Sequence, residues 1–347
     1  MVDGARRAGG TPYLRLAREC PEHAGWRMPV GLVVAVAAYF TLSTVLLGYA
    51  LVALASSEAD VDRFIDSLDL DTSNIWLTGL AFLLVAFMLP AMMLGRFVGG
   101  PRPGDLWSVE GRIRWRWLGW CSALALVVYG VVIVVAIALS GGTGPDVDAD
   151  AVIAIAVVLA VVPFQATAEE VVFRGHLMQM VGTWTRWAWV PVVVSTPLFV
   201  AGHTYDALGL VDVGIFGLTA AVLVVRTGGL EAAMAAHAAN NVVLLVIDSV
   251  GVRSDSLTDP GVVDLLPTVL TSALMLGGVE VLFRRQGLRR TRPRLPDPPS
   301  RVPVAGFPPA WPVPGGPEAP GPATGAPAPA RVPPPYPGEI SPHWPYA

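Results

Sequence analysis

Three sets of polar residues interrupt stretches of this chain that are otherwise built for lipid: Glu169, Glu170 and Arg174; then His203; then His237, Asn240 and Asn241. A charged side chain at membrane depth costs a few kcal/mol, so several are kept only where they pair and line a polar cavity. Glu170 and Arg174 stand four residues apart, neighbours on one helix face, and read as an ion pair bracing the structure. Glu169 has no cation of its own and projects about 100° around the helix, toward the interior of a bundle. A lone carboxylate in a poorly hydrated cavity suits general acid or base work. His203 ends the run Phe199-Val200-Ala201-Gly202-His203, and His237 and Asn241 share a helix face with Asn240 close by. Imidazoles and amides so placed serve as donors to a developing oxyanion, as further metal ligands, or as interhelical glue worth about 1 kcal/mol.

The elements that must position these groups are membrane helices. Of 347 residues 53% are hydrophobic and 14% charged. The apolar residues fall into eight blocks long enough to cross a bilayer core, at about 30–55, 75–95, 117–140, 151–173, 187–204, 208–225, 228–248 and 262–283. No soluble domain of any size fits between them. Lipid forbids unpaired backbone, and no ten-residue alternation suggests a barrel, so the expected fold is all-α and polytopic, with about eight transmembrane helices around a polar intramembrane site.

Every cation is an arginine, and their distribution sets the orientation. Arg6, Arg7, Arg15, Arg18 and Arg27 precede the first span; Arg96, Arg102, Arg112, Arg114 and Arg116 lie between the second and third; Arg284, Arg285, Arg289, Arg290, Arg292 and Arg294 follow the last. The opposite loops carry acids, among them Asp60, Asp62, Asp146, Asp148, Asp255 and Asp259. Both termini are therefore expected in the cytoplasm of a multi-pass plasma-membrane protein. The first block is read as a retained span rather than a cleaved signal. Cys20 and Cys121 are isolated and suggest neither a disulfide framework nor a thiolate metal site.

Depth brings the first two polar sets together. If the fourth helix continues past Arg174 to about Gly182, with Trp184, Trp187 and Trp189 as an aromatic belt at the turn, Glu169 lies about 14 residues before the turn and His203 about 16 after. At 1.5 Å per residue these are nearly equal heights, roughly 20 to 24 Å, on antiparallel neighbours able to hold one water between them.

Glu-Glu-x-x-x-Arg, then Phe-x-x-x-His, then His-x-x-x-Asn, in this order on successive helices, resembles the CPBP (CAAX protease and bacteriocin-processing) or Abi family of intramembrane endopeptidases, which includes the type II CAAX prenyl proteases. The resemblance covers about residues 150–250 and is complete at the polar positions. It implies an eight-helix fold that cleaves peptide bonds at or within the membrane. It also implies that Glu169 and His203 activate the water, that His237 and Asn241 stabilise the oxyanion, and that Glu170 and Arg174 support them. The organisation then expected is a cytoplasmic tail over 1–29, three spans over 30–149, a catalytic core over 150–250, a last span over 251–285, and a disordered proline-rich cytoplasmic tail over 286–347.

Members are often labelled metallopeptidases, yet His-Glu-x-x-His is missing, and Asn in place of a third His or acid is unusual for zinc. The residues lean toward a metal-independent site; a divalent metal such as zinc, if bound, would take Glu169, His203 and His237. Rhomboid-like serine, aspartyl and site-2 metalloprotease chemistries lack their Gly-x-Ser, Gly-x-Gly-Asp and His-Glu-x-x-His signatures. Two other classes stand beside the endopeptidase. One is a proton-coupled transporter with Glu169 and His203 as relay; the other is a non-catalytic membrane immunity or scaffold protein. The partners expected are the bilayer and a membrane-associated peptide or protein substrate, with no nucleic acid. Prenylated CAAX peptides are what the best-known relatives cut, but the all-arginine cation set points to a GC-rich bacterium, where that substrate is unexpected. Pro333-Pro334-Pro335-Tyr336-Pro337 reads equally as tether or as docking site for a partner.

Overall fold

Apolar segments that cannot bond to water close their backbone hydrogen bonds internally, and the chain folds into helices throughout its hydrophobic length. The structure, a computed structural model, describes residues 10–20, 23–55, 75–253 and 261–293, with the side chains of 53–55 and 75–77 left aside. Its α-helices are α1 (Arg27–Ala55), α2 (Ile75–Ala86), α3 (Met88–Gly99), α4 (Trp115–Leu139), α5 (Ala149–Glu170), α6 (Met178–Trp184), α7 (Trp189–Val200), α8 (Ala207–Thr227), α9 (Glu231–Ser249) and α10 (Leu266–Arg285). Seven helical stretches among the described residues are long and apolar enough to cross a membrane, α2 and α3 together making one, and α7 adds a shorter eighth. The chain is thus an all-α, multi-pass membrane protein.

Two spans differ from the bounds of their apolar blocks. The fourth continues beyond the apolar block ending near 173, as the hairpin of Glu169 and His203 requires, and runs unbroken through α5, a π-helical turn and α6, 36 residues from Ala149 to Trp184. The fifth, expected over 187–204, is helical for only 12 residues, about 18 Å against a hydrocarbon core of about 30 Å. It ends early because Asp206 caps the next helix, its carboxylate accepting from the Gly209 N–H at 2.7 Å.

Close packing depends on small residues, since lipid supplies no hydrophobic drive between helices. α1 lies against α3 where Gly31 and Ala35 meet Gly95 and Gly99. A methyl on Gly95 would sit 2.2 Å from the Gly31 carbonyl oxygen, so Gly95→Leu is expected to force the pair apart and lower the melting temperature in detergent. An unchanged melt would show the contact to be soft. α9 occupies the centre, against α4, α5 and α8, with Ala232, Ala233, Ala235, Ala236 and Ala239 buried.

The arginine-rich end is more ordered than its composition suggests. Residues Tyr13–Glu19 form a 3₁₀ helix, and β1 (Thr11–Pro12) pairs antiparallel with β2 (Thr291–Arg292). The first residues of the segment expected to be a tail from 286, up to 293, are therefore held in place through Arg292, whose guanidinium donates to Asp105 Oδ1 at 2.6 Å and to the Val109 carbonyl at 2.9 Å. Residues 294–347, with the proline run, lie outside the described residues. Arg96 and Arg114 also differ from loop cations, for both are buried. Arg96 donates to Gln179 Oε1 at 2.6 Å from within α3. Arg114 grips Glu231 with Nε and Nη2 at 2.9 and 2.7 Å, pinning the start of α9. Gly229 lacks a side chain there because a Cβ would lie 2.5 Å from Arg114 Nη2.

Candidate active site

The site is built where the long fourth span changes its winding. Val171–Leu177 is π-helical, with the Met178 N–H reaching the Phe173 carbonyl five residues back. A π turn holds more residues than an α turn and is frequent at functional sites. Here it begins directly after Glu170 and carries Arg174, so the two carboxylates sit at the junction of two helical pitches.

Glu170 and Arg174 are fully buried and pair at 2.9 Å. Arg174 also donates to the Gly217 carbonyl of α8 at 3.1 Å, and its guanidinium lies 3.9 Å above the Phe199 ring of α7. The pair thereby ties three helices, the brace read from the spacing. It does more, because the same Glu170 oxygen, Oε1, lies 2.8 Å from His237 Nδ1 of α9. A carboxylate accepts, so this contact places a proton on Nδ1 and turns Nε2 toward the cavity. Nε2 then faces Glu169 Oε2 at 3.6 Å. One imidazole thus stands between the two carboxylates that the helix geometry separated.

The two oxygens of Glu169 are not equivalent. Oε1 accepts from Gln165 Nε2 at 2.6 Å, whereas Oε2 is buried and has no hydrogen-bond donor among the described residues. Gln165 in turn accepts from Asn241 Nδ2 at 3.2 Å, and Asn241 Oδ1 accepts from Asn240 at 3.1 Å. An amide chain therefore runs from α9 to α5 and fixes Glu169 in one rotamer. Gln165 is the residue of this network that the motif reading missed. The signal available was a second polar side chain one turn before Glu169 in an apolar run.

His203 sits just past the end of α7. Its Nδ1 lies 2.9 Å from the Phe199 carbonyl, which can only accept, so Nδ1 carries the proton and Nε2 offers a lone pair. Its ring packs on Phe199 at 4.8 Å, and Phe199 packs on His237 at 5.9 Å. No hydrogen bond or ion pair joins His203 to Glu169 directly among the described residues; the histidine touching Glu169 is His237. Beside His203, Tyr205 lies 5.8 Å away ring to ring.

Two of the donors a zinc ion would need lie side by side, and a third does not join them among the described residues. Among the described residues no three His, Cys, Asp or Glu side chains gather closely enough to hold a metal ion. Glu169 Oε2 and His237 Nε2 would be two donors, and the bond from His237 Nδ1 to Glu170 is the kind a metal-bound histidine makes, but among the described residues a third ligand of the kind zinc requires is not brought up.

A multi-pass helical bundle carrying a buried Glu, His and Asn network at one helix junction defines a membrane protein with an intramembrane polar site. Over residues 151–243, the stretch containing every one of these groups, the chain matches the family model described as type II CAAX prenyl endopeptidase Rce1-like. The resemblance drawn from the motifs is borne out across that segment. Among curated proteins, uncharacterized protein YyaK of Bacillus subtilis (strain 168) is 36% identical over 93 residues, 25% of this chain and 31% of that protein. The chain thus spans about a third of the length of the curated relative it matches. No solved structure matches.

Proposed function

We propose that the protein is an intramembrane endopeptidase that hydrolyses a peptide bond of a membrane-associated peptide or protein. The observation that carries the reading is Glu169 Oε2, a buried carboxylate oxygen without a donor, facing an imidazole whose other nitrogen is already engaged. A water held at Oε2, with the His203 Nε2 lone pair as its second acceptor, is activated when Glu169 takes its proton. The water oxygen attacks the scissile carbonyl, Glu169 then passes the proton to the departing amine, and the C–N bond breaks.

His237 Nε2, 3.6 Å from Glu169 Oε2, shares the proton that Glu169 takes from the water, and through Nε2–H that proton supports the developing oxyanion until Glu169 returns it to the amine. Asn241 has a second amide proton left after its bond to Gln165 and supplies another donor. Gln165 holds Glu169 in place and does not touch the reacting atoms. Gln165→Leu is therefore expected to lower kcat about 10- to 100-fold, the worth of a hydrogen bond to a charged group, with little change in KM. An equal loss carried by KM would argue against the positioning role.

The support from similarity is the family match over 151–243. Purified full-length protein in detergent should cleave a membrane-associated peptide. Undiminished cleavage by both Glu169→Ala and His203→Ala would overturn the reading.

A further inference from the structure

The arginine-rich end carries a second feature, far from the Glu and His network in sequence and unused by the chemistry above. Between the start of α4 and the end of α10 lies an open groove of about 730 Å³. Arg112, Arg116 and Arg285 line it together with Trp115, Trp120 and Leu282. Arg114 is part of its floor, but Glu231 already neutralises that charge. Arg112 is compensated in part by Glu110 at 3.2 Å, a solvent-exposed pair worth little. Arg116 and Arg285 have no carboxylate within ion-pair distance among the described residues, so the groove holds two uncompensated cations.

The aromatic residues say what kind of anion fits. Trp115 and Trp120 are 71% and 53% exposed, which is costly in water but favoured at the headgroup level of a bilayer. Below Trp120 the same face of α4 continues through Val127, Val131 and Val134, each more than half exposed. The path is therefore cationic at the membrane surface, aromatic at the interface and apolar beneath, the order of a phosphodiester headgroup, a glycerol backbone and an acyl chain. A soluble phosphate would use only the first of these.

We propose that this groove binds an anionic phospholipid, its phosphate held by Arg116 and Arg285 and one acyl chain laid along α4. Basic pockets between membrane helices recognise lipid headgroups in this way. The proposal stands independently of the hydrolytic reading, since none of its residues belongs to that site.

The test is native mass spectrometry of the full-length protein released from detergent with phosphatidylglycerol or phosphatidylcholine of equal chain length. Phosphatidylglycerol should be retained preferentially. Arg116→Gln/Arg285→Gln should weaken its retention roughly 30-fold, about fivefold per arginine. Arg289→Gln, which removes an exposed cation outside the groove, should leave it unchanged. If the double variant does not fold, each single variant should show its own fivefold loss. Equal retention of the two lipids would overturn the proposal, as would retention unaltered in the arginine variants or reduced equally by Arg289→Gln. So would glycerol 3-phosphate binding as tightly as the lipid, which would make the groove a soluble-anion site.

Discussion

Glu169→Gln is expected to slow peptide hydrolysis by roughly 10²- to 10⁴-fold, the range that a positioned general base contributes, without loss of the folded protein. The substitution keeps the side-chain volume and removes only the proton acceptor at Oε2. Stability should survive because Arg174 is matched by Glu170 at 2.9 Å and does not rely on Glu169 for its partner. The measurement is cleavage of a membrane-associated peptide alongside thermal unfolding in the same detergent. A variant that melts like the parent and cleaves like the parent would remove Glu169 from the chemistry.

Arg174→Met should have the largest effect on stability, a loss of about 3 to 5 kcal/mol, because it leaves the fully buried Glu170 without its cation. The guanidinium also caps the Gly217 carbonyl and covers the Phe199 ring, so α5, α7 and α8 loosen together. Replacing both partners, as Glu170→Leu/Arg174→Met, should recover much of the melting temperature, since buried ion pairs exchange for apolar groups at small net cost. Activity should not return with it, because His237 Nδ1 loses the acceptor that orients its ring. Recovery of both stability and cleavage in the double variant would reduce Glu170 to a structural role.

The sequence made much of this legible because lipid is a severe solvent. Apolar length revealed the helices, and the cost of intramembrane charge singled out Glu169, Glu170, Arg174, His203, His237 and Asn241 before any geometry was known. Spacing on a helix was enough to pair Glu170 with Arg174. It could not show that His237 meets both carboxylates, since that depends on the π turn after Glu170 and on how α9 lies against α5. Equal height placed His203 and Glu169 at one level but carried no information about azimuth, and His237 took the direct contact. Gln165 was passed over because one amide in an apolar run looks like interhelical glue until its two partners are seen. Burial of Arg96 and Arg114 was equally hidden: a cation near a span end looks topogenic, and only Gln179 and Glu231 in distant segments reveal otherwise.

The brevity of α7 has a mechanical consequence for the surrounding bilayer. Helical only from Trp189 to Val200, it gives way at 201–206 to exposed, non-helical backbone beside His203. Such backbone is tolerated only against water or protein, so the hydrocarbon next to this edge must be thinned or parted. Lipid thickness then becomes a mechanical load on the edge that carries His203. Thicker bilayers are expected to press acyl chains against the 201–206 segment and thinner ones to relieve it, so that cleavage by protein in vesicles should vary with acyl-chain length.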